Sequence, residues 1–392
     1  MSMESDISQT TFSSDFFARL LGWCYAYQGR YWDDRRFGPM PELSLLERAK
    51  RRLKAWGASR GWAARHFHLP VAGAELARIM AAQSDYARGY ALLADAYSRN
   101  VYLDLLAFRA LGPLHVRLPA NTPAYWREWS RDDIHIVKRN TATASMGSVH
   151  WTLNQYDVPG KTEMLHLHMP PGSYQYYFIQ RSYDYDREGC SIGVESGDVV
   201  INGGGCWGDT DIMFADRCAP DGRVFTFEFV PENLEIMRLN LAANPALARR
   251  IEPVKNALGE VSGQTMEFSS HGPGTQVAAV GSQGVRQRVM SLTVDDLVAQ
   301  RGLARVDFIK MDIEGAELRA LQGAENTLRR FRPKLAISAY HKPEDLYTLS
   351  TFLDRLQLGY RFYMDHFTVH LEETVLFAAC DKRRTQAPPF MR

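Results

Sequence analysis

From residue 197 to residue 380 short apolar segments alternate with amphipathic ones, and this order leaves few folds open to the chain. The apolar runs are DVVING, VFTFEF, IEPVKNAL, VDFIKMDIEG, KLAISAY, YRFYMDHF and ETVLFAAC. Helical patterns lie between most of them: residues 210–216, PENLEIMRLNLAAN, VDDLVAQ, AELRALQGAENTLRRF and EDLYTLSTFLDRLQ. Strands that are apolar almost throughout and separated by helices form a parallel sheet covered on both faces. The last two have no helix between them, which adds an antiparallel pair at one edge.

Upstream the texture differs. Residues 11–112 carry apolar positions at three- and four-residue spacing, with a helix start at Pro41 and a stop at Gly112-Pro113. After Pro119 come DIHIVKR, VHWTLNQYDV, TEMLHLHMP and YQYYFIQ, which read as strands bounded by Gly or Pro. A chain of 392 residues exceeds one ordinary core. The expected division is a helical region over 1–118, a β-rich connector over 119–195, an α/β domain over 196–381 and a flexible tail over 382–392.

Charge excludes some partners. With 46 Lys and Arg against 45 Asp and Glu, the chain has no overall field for nucleic acid or an anionic membrane. The run Arg48, Lys50, Arg51, Arg52, Lys54 reads as a solvated helix surface, with Leu45, Leu46 and Leu53 as its apolar contacts. Five scattered cysteines include no CxxC pair, so neither a zinc site nor a disulfide framework follows. The opening residues lack a signal-peptide pattern and no apolar run reaches spanning length, so a cytoplasmic location is expected. His166 and His168 have metal-ligand spacing, yet ordinary strand polarity explains them.

The chemistry centres on GDVVINGGGCWGDT. A strand enters a glycine-rich turn and then a helix, with Gly203, Gly205 and Gly208 in the G-x-G-x-x-G pattern. Glu228 ends the next strand, placed to accept from both hydroxyls of an adenosine ribose. NAD and S-adenosylmethionine (SAM) both suit these two features. Asn256 and Ala257, at the third strand end, should lie near an adenine. The fourth strand end supplies Lys310, Asp312 and Glu314, the two acids expected to point the same way. Paired acids there can act as a base or hold a divalent cation such as Mg. The fifth delivers Tyr340 and His341, a proton acceptor or metal ligand. His366 is a weaker candidate.

Together these blocks resemble the FkbM-type SAM-dependent methyltransferases. The resemblance rests on GDVVINGGGCWGDT, FEFVPENLEIMRLNL, NALGEVSG, MSLTVDDLV, RPKLAISAYHKPEDL, ETVLFAA and above all VDFIKMDIEGAELRALQGAENTL, in family order over about residues 195–380. YSRNVYLDLLAFRALG is similar to the helical segment upstream in longer members. The resemblance implies a class I, Rossmann-like methyltransferase domain with a mostly parallel seven-stranded sheet. It implies that Gly204 and Gly208 shape the SAM turn, Glu228 holds the ribose and Asp312 faces the transferred methyl. The expected donor contacts are Asn202, Gly203, Gly204, Gly205, Gly208, Asp209, Glu228, Asn256, Ala257 and Asp312. The family has Asp at the head of the turn, where this chain has Asn202. Asn offers no charge to the methionine ammonium, which weakens the expected SAM affinity.

Hydroxyl methylation fits these residues best, with Asp312 as the first choice of base and His341 and Glu314 as helpers. No Asn/Asp-Pro-Pro-aromatic tetrapeptide or Pro-Cys nucleophile loop is present, and nucleic acid is a poor substrate. The resemblance suggests a hydroxyl on a sugar or natural product. An NAD-dependent oxidoreductase and a SAM- or nucleotide-binding interaction module are the alternatives. The N-terminal helices have three roles open to them: a homodimer interface, a lid or a docking surface. Their aromatic residues Trp23, Tyr25, Tyr27, Tyr31 and Trp32 read first as core.

Overall fold

The computed structural model describes residues 3–24, 26, 32–40, 44–47, 49–50, 53, 73–131, 135–146, 149–187, 189–269, 272–279 and 287–380. The expected tail over 382–392, most of the basic run at 48–54, and Tyr25, Tyr27 and Tyr31 lie outside the described residues. Strands β1 (Ile136–Met146), β2 (Val149–Pro159) and β3 (Met164–Met169) form an antiparallel sheet, followed by the hairpin of β4 (Tyr185–Arg187) and β5 (Cys190–Ile192). The α/β part opens with β6 (Val199–Gly203), β7 (Arg223–Phe227) and β8 (Ile251–Val254). A four-stranded side sheet contains β9 (Ala257–Leu258), β10 (Thr265–Phe268), β11 (Val277–Ala279) and β12 (Gln287–Leu292). Then come β13 (Phe308–Met311), β14 (Lys334–Ser338), β15 (Tyr360–His366) and β16 (Thr374–Cys380).

The central sheet has seven strands in the order β15-β16-β14-β13-β6-β7-β8. The five strands from β14 to β8 are mutually parallel, and β16 runs antiparallel to both β14 and β15. This is the mostly parallel, class I methyltransferase arrangement that the resemblance implies.

Strand alternation decides what covers each face. Ile201, Phe225, Ile309, Leu335 and Ile337 point into a core shared with Phe12, Phe16, Leu20, Tyr102 and Leu106 of the N-terminal helices. Val200, Val224, Phe308, Ala336 and Phe377 point the other way, against Tyr156, Leu165 and Leu167 of the connector and Phe214 of the Asp209–Cys218 helix. Phe12, Phe16 and Leu20 recur every four residues along one stripe of the Met3–Cys24 helix. Burying each is worth about 1.5–3 kcal/mol. The helices and the connector thus cover the two faces of one sheet.

The junctions are polar. Asp95 caps the Ala96–Leu111 helix by accepting from Ser98 N at 2.7 Å, and also accepts from the Tyr185 hydroxyl at 2.5 Å. Ser98 Oγ in turn accepts from Met364 N at 2.9 Å. One capping turn therefore joins the helices, β4 and β15.

Five local expectations change. YQYYFIQ contains a π-helix, Gln175–Ile179, where a strand was expected. The helical region continues to Pro123–Trp129, past residue 118, capped by Thr122 with Pro123 in the first turn. IEPVKNAL divides, because Ala257 and Leu258 leave β8 to pair with β12. AELRALQGAENTLRRF breaks at Gly323, where a Cβ would strike the Gly259 carbonyl. Leu45, Leu46 and Leu53, expected to make apolar contacts, are exposed. No helix among the described residues is long and apolar enough to cross a membrane.

Candidate functional site

The strand order reverses between β6 and β13, and a cavity of about 750 Å³ opens at their carboxyl ends. Ligand sites of open α/β sheets lie at this reversal, and the volume suits a small molecule. The floor is the glycine turn. Gly204 and Gly208 have φ of +82° and +78°, and a Cβ on Gly204 would collide with the Asp312 carbonyl oxygen. Gly204 and Gly205 donate their N–H groups to the Phe227 carbonyl, at 3.1 and 2.9 Å, so these two donors serve the turn itself.

Of the expected donor contacts, Gly204, Asp209, Glu228, Asn256, Ala257 and Asp312 line the cavity, whereas Asn202, Gly203, Gly205 and Gly208 are outside its lining. Asn202 requires a correction. It is fully buried beneath the turn, and its Nδ2 donates to Asp211 Oδ1 at 2.6 Å and to Thr210 Oγ1 at 3.3 Å. Burial pushes Asp211 up to about 7, with the Asn202 amide pulling the other way. The missing charge at Asn202 is therefore a property of the underside of the turn.

Glu228 leaves β7 directly into the cavity. Its Oε1 accepts from Phe229 N and Val230 N, both at 2.7 Å, and its Oε2 from Asn233 Nδ2 at 3.1 Å. Burial pushes its carboxyl up to about 7 against these bonds. Asp209, at the start of the Asp209–Cys218 helix, is raised by burial to about 6, with its own first-turn N–H bond and Lys310 opposing. Cys206 sits in the turn at φ +46° and burial raises its thiol well above the usual range, which suits a structural role.

Opposite Glu228, Asp312 follows the end of β13. Tyr183 donates to its Oδ2 at 2.9 Å and Tyr340 to its Oδ1 at 3.0 Å. The Lys310 ammonium is buried beside it, donating to the carbonyls of Gly203 at 3.1 Å and Gly204 at 2.8 Å. Burial alone would raise Asp312, but Lys310 and His341 outweigh it and hold the carboxyl below its ordinary value.

His341 is ringed by acids. Its Nε2 is 3.6 Å from both Asp312 Oδ1 and Glu314 Oε1, and its Nδ1 is 2.9 Å from Glu317 Oε1. Burial would lower its pKa, yet these carboxylates lift it to about 11. An imidazole held protonated by these acids is poised to donate a proton, and it can take up a cation only by giving that proton up. Asp312, Glu317 and His341 each place a donor atom within 4.8 Å of the others, so Glu317 and His341 join Asp312 as a candidate metal-ligand group, with Glu314 Oε1 3.6 Å from the imidazole beside it. His366 is elsewhere, buried with Nδ1 2.8 Å from Thr374 Oγ1. His166 pairs across strands with Asp157 at 2.7 Å, and His168 meets Thr141 Oγ1 at 2.8 Å.

The roof comes from three other stretches. The connector gives Trp151, Pro170, Pro171, Tyr176 and Tyr177, the β15–β16 turn gives Glu372 and Glu373, and the N-terminal region gives Arg36, ion-paired with Glu372. Sequence reasoning missed Tyr183, Glu317, Glu373 and this roof. Only Glu317 carried a signal, three residues beyond Glu314 in DIEGAE, where a helix turns one residue inward.

Residues 191–362 match the model of the methyltransferase FkbM domain. The chain carries an FkbM methyltransferase domain. It is a methyltransferase, and the family implies SAM as the methyl donor. The FkbM methyltransferase structure from Methylobacillus flagellatus KT is 19% identical, aligned over 86% of this chain and 71% of that one, with a TM-score of 0.48. The SAM-bound fibrillarin of Aeropyrum pernix is 12% identical, over 62% of this chain and 100% of that one, with a TM-score of 0.32. A SAM-dependent O-methyltransferase from Thermotoga maritima is 14% identical, over 55% and 67%, also with a TM-score of 0.32. No curated protein matches the sequence.

Proposed function

We propose that the FkbM domain transfers the methyl group of SAM to a hydroxyl of a sugar or natural-product small molecule. The observation that carries this reading is a single cavity joining the ribose-type acid Glu228 to Asp312 across the strand-order reversal. The residues fit the donor. A turn closed to any Cβ at Gly204 allows close approach, and Glu228 keeps a buried carboxylate at the wall. Glu228 would accept from the ribose hydroxyls, Asn256 and Ala257 would flank the adenine, and Asp209 would meet the ammonium group. When bound, the donor supplies a methyl already activated on a sulfonium.

The chain then has to align the acceptor and exclude water. Trp151, Tyr176, Tyr177 and the Pro170-Pro171 pair offer flat apolar faces to a sugar ring or aglycone. Asp312, fixed by two tyrosine hydroxyls, holds the acceptor hydroxyl near the methyl. A second element rests on the His341 cluster. Asp312, Glu314 and Glu317 bring three carboxylates to one imidazole, a set that would hold a divalent cation such as Mg²⁺ and acidify a bound hydroxyl.

Calorimetric titration with SAM, S-adenosylhomocysteine (SAH) and NAD, with and without magnesium, tests the donor. SAM and SAH should bind, and Glu228→Ala should abolish binding. NAD binding in their place would favour the oxidoreductase. SAM binding with no transfer of labelled methyl to any hydroxylated acceptor would favour the interaction module.

A further inference from the structure

The β15–β16 turn brings into the cavity a carboxylate with no assigned task. Glu373 lines the same cavity as Asp312, and its Oε2 is buried with no hydrogen-bond partner. Its carboxylate enters no ion pair among the described residues, whereas its neighbour Glu372 is tied to Arg36. The backbone there is left-handed at φ +63°, held where Phe367 N donates to the Glu373 carbonyl at 3.1 Å. A non-glycine residue in that region is strained, and such strain concentrates at functional sites. Asp312 is in the opposite condition, its oxygens bonded by Tyr183 and Tyr340 and its charge matched by Lys310 and His341.

We propose that Glu373 takes the proton from the acceptor hydroxyl, while Asp312 positions that hydroxyl. This rests on the hydroxyl-methylation reading. The acceptor oxygen bonds to the methyl carbon as the carbon–sulfur bond breaks and its electron pair returns to sulfur, leaving SAH. The acceptor O–H bond breaks in the same event, and its proton goes to the Glu373 carboxylate. Two acids in one cavity whose surroundings drive their proton affinities apart divide acid–base roles in this way. Burial first, then Asp312 and Glu372, push Glu373 up to about 8, with Lys310 and His341 opposing, so the carboxylate that accepts the proton is the form that fills as pH rises through that value, and kcat should rise with it. The phenols of Tyr125, Tyr176, Tyr177, Tyr183 and Tyr340 also feel its charge.

The test compares wild type with Glu373→Gln and with Glu373→Gly, which also relaxes the turn. A carboxyl raised on folding contributes stability below its unfolded pKa and loses it as pH rises through the folded value. The Glu373→Gln midpoint should therefore exceed that of wild type by a gap that opens between about pH 5 and about pH 9. SAH affinity should stay within about threefold of wild type, because Glu373 belongs to the β15–β16 turn and not to the glycine turn or the β7 end that would hold the donor. Transfer of tritiated methyl from SAM to a panel of methyl glycosides should fall at least about 100-fold in kcat in both variants. The assignment is overturned if Glu373→Gln keeps kcat within about threefold of wild type, or melts lower at every pH as a structural residue would. Wild-type transfer to amino or thio analogues and to no hydroxyl would instead overturn the hydroxyl reading, and the role of Glu373 with it.

Discussion

Replacing Asn202 with Asp would restore the residue usual in the family, and the structure predicts loss of stability with no gain in donor affinity. Asn202 Nδ2 donates to Asp211 Oδ1 at 2.6 Å, and both side chains are fully buried. The substitution takes the buried amide donor away from Asp211 Oδ1, worth about 1–3 kcal/mol. It also sets a second carboxylate at that distance. Two full charges 2.6 Å apart would repel by about 6 kcal/mol at an effective dielectric near 20. The pair avoids most of that cost by keeping one proton, since Asp211 already titrates at about 7. At pH 6 the loss should therefore be about 1–3 kcal/mol. Above pH 7 it should grow by about 1.4 kcal/mol per unit until the second proton leaves. Urea denaturation of both proteins at pH 6 and pH 8 reads this directly. SAH affinity, measured by calorimetry at the same two pH values, should change by less than about threefold. Tenfold tighter SAH binding with unchanged stability would refute the argument, because it would place the side chain against the ligand.

Glu228→Gln keeps one oxygen for the Phe229 and Val230 N–H groups but turns an amide toward the Asn233 donor. Loss of one charge-assisted bond predicts about 10- to 100-fold weaker SAH binding by calorimetry. Gly204→Ala puts a methyl into the Asp312 carbonyl at a left-handed position, so SAH binding should be lost even where circular dichroism shows a folded chain. His341 has a folded pKa raised from 6.5 to about 11, so its contribution is present below about 6.5 and fades as pH rises toward 11. The gap in denaturation midpoint between wild type and His341→Gln should be widest near pH 6 and narrow steadily in alkali.

The parts that were legible in the sequence share a physical reason. In a parallel sheet every strand leaves at the same edge, so a residue ending an apolar run has a known address before the fold is seen. Glu228, Asp312 and His341 all arrived that way. Direction within a turn was not legible. Whether Asn202 faces the ligand or the helix beneath depends on a rotation of one residue, and Asp211, its partner, looked like any first-turn acid. YQYYFIQ was misread because Tyr, Phe and Ile favour strands for their bulk, and the same bulk packs a short π-helix. Tyr183 reaches Asp312 from 129 positions away, a contact no local pattern encodes.

The cavity has two makers. Its floor is built from strand ends of one sheet, whereas its roof is contributed by Arg36, the connector around Trp151 and Tyr176, and the turn bearing Glu373. Altering the floor disturbs the register of the whole sheet, while the roof can be recomposed by exchanging a loop or a short helix. On the proposed function, selection on what is methylated and selection on how the methyl is delivered therefore act on different stretches of the chain. Exchange of Trp151 and of residues 170–177 between relatives, with Tyr183 and the sheet-covering Tyr156, Leu165 and Leu167 kept, is the natural way to redirect the enzyme without rebuilding its engine.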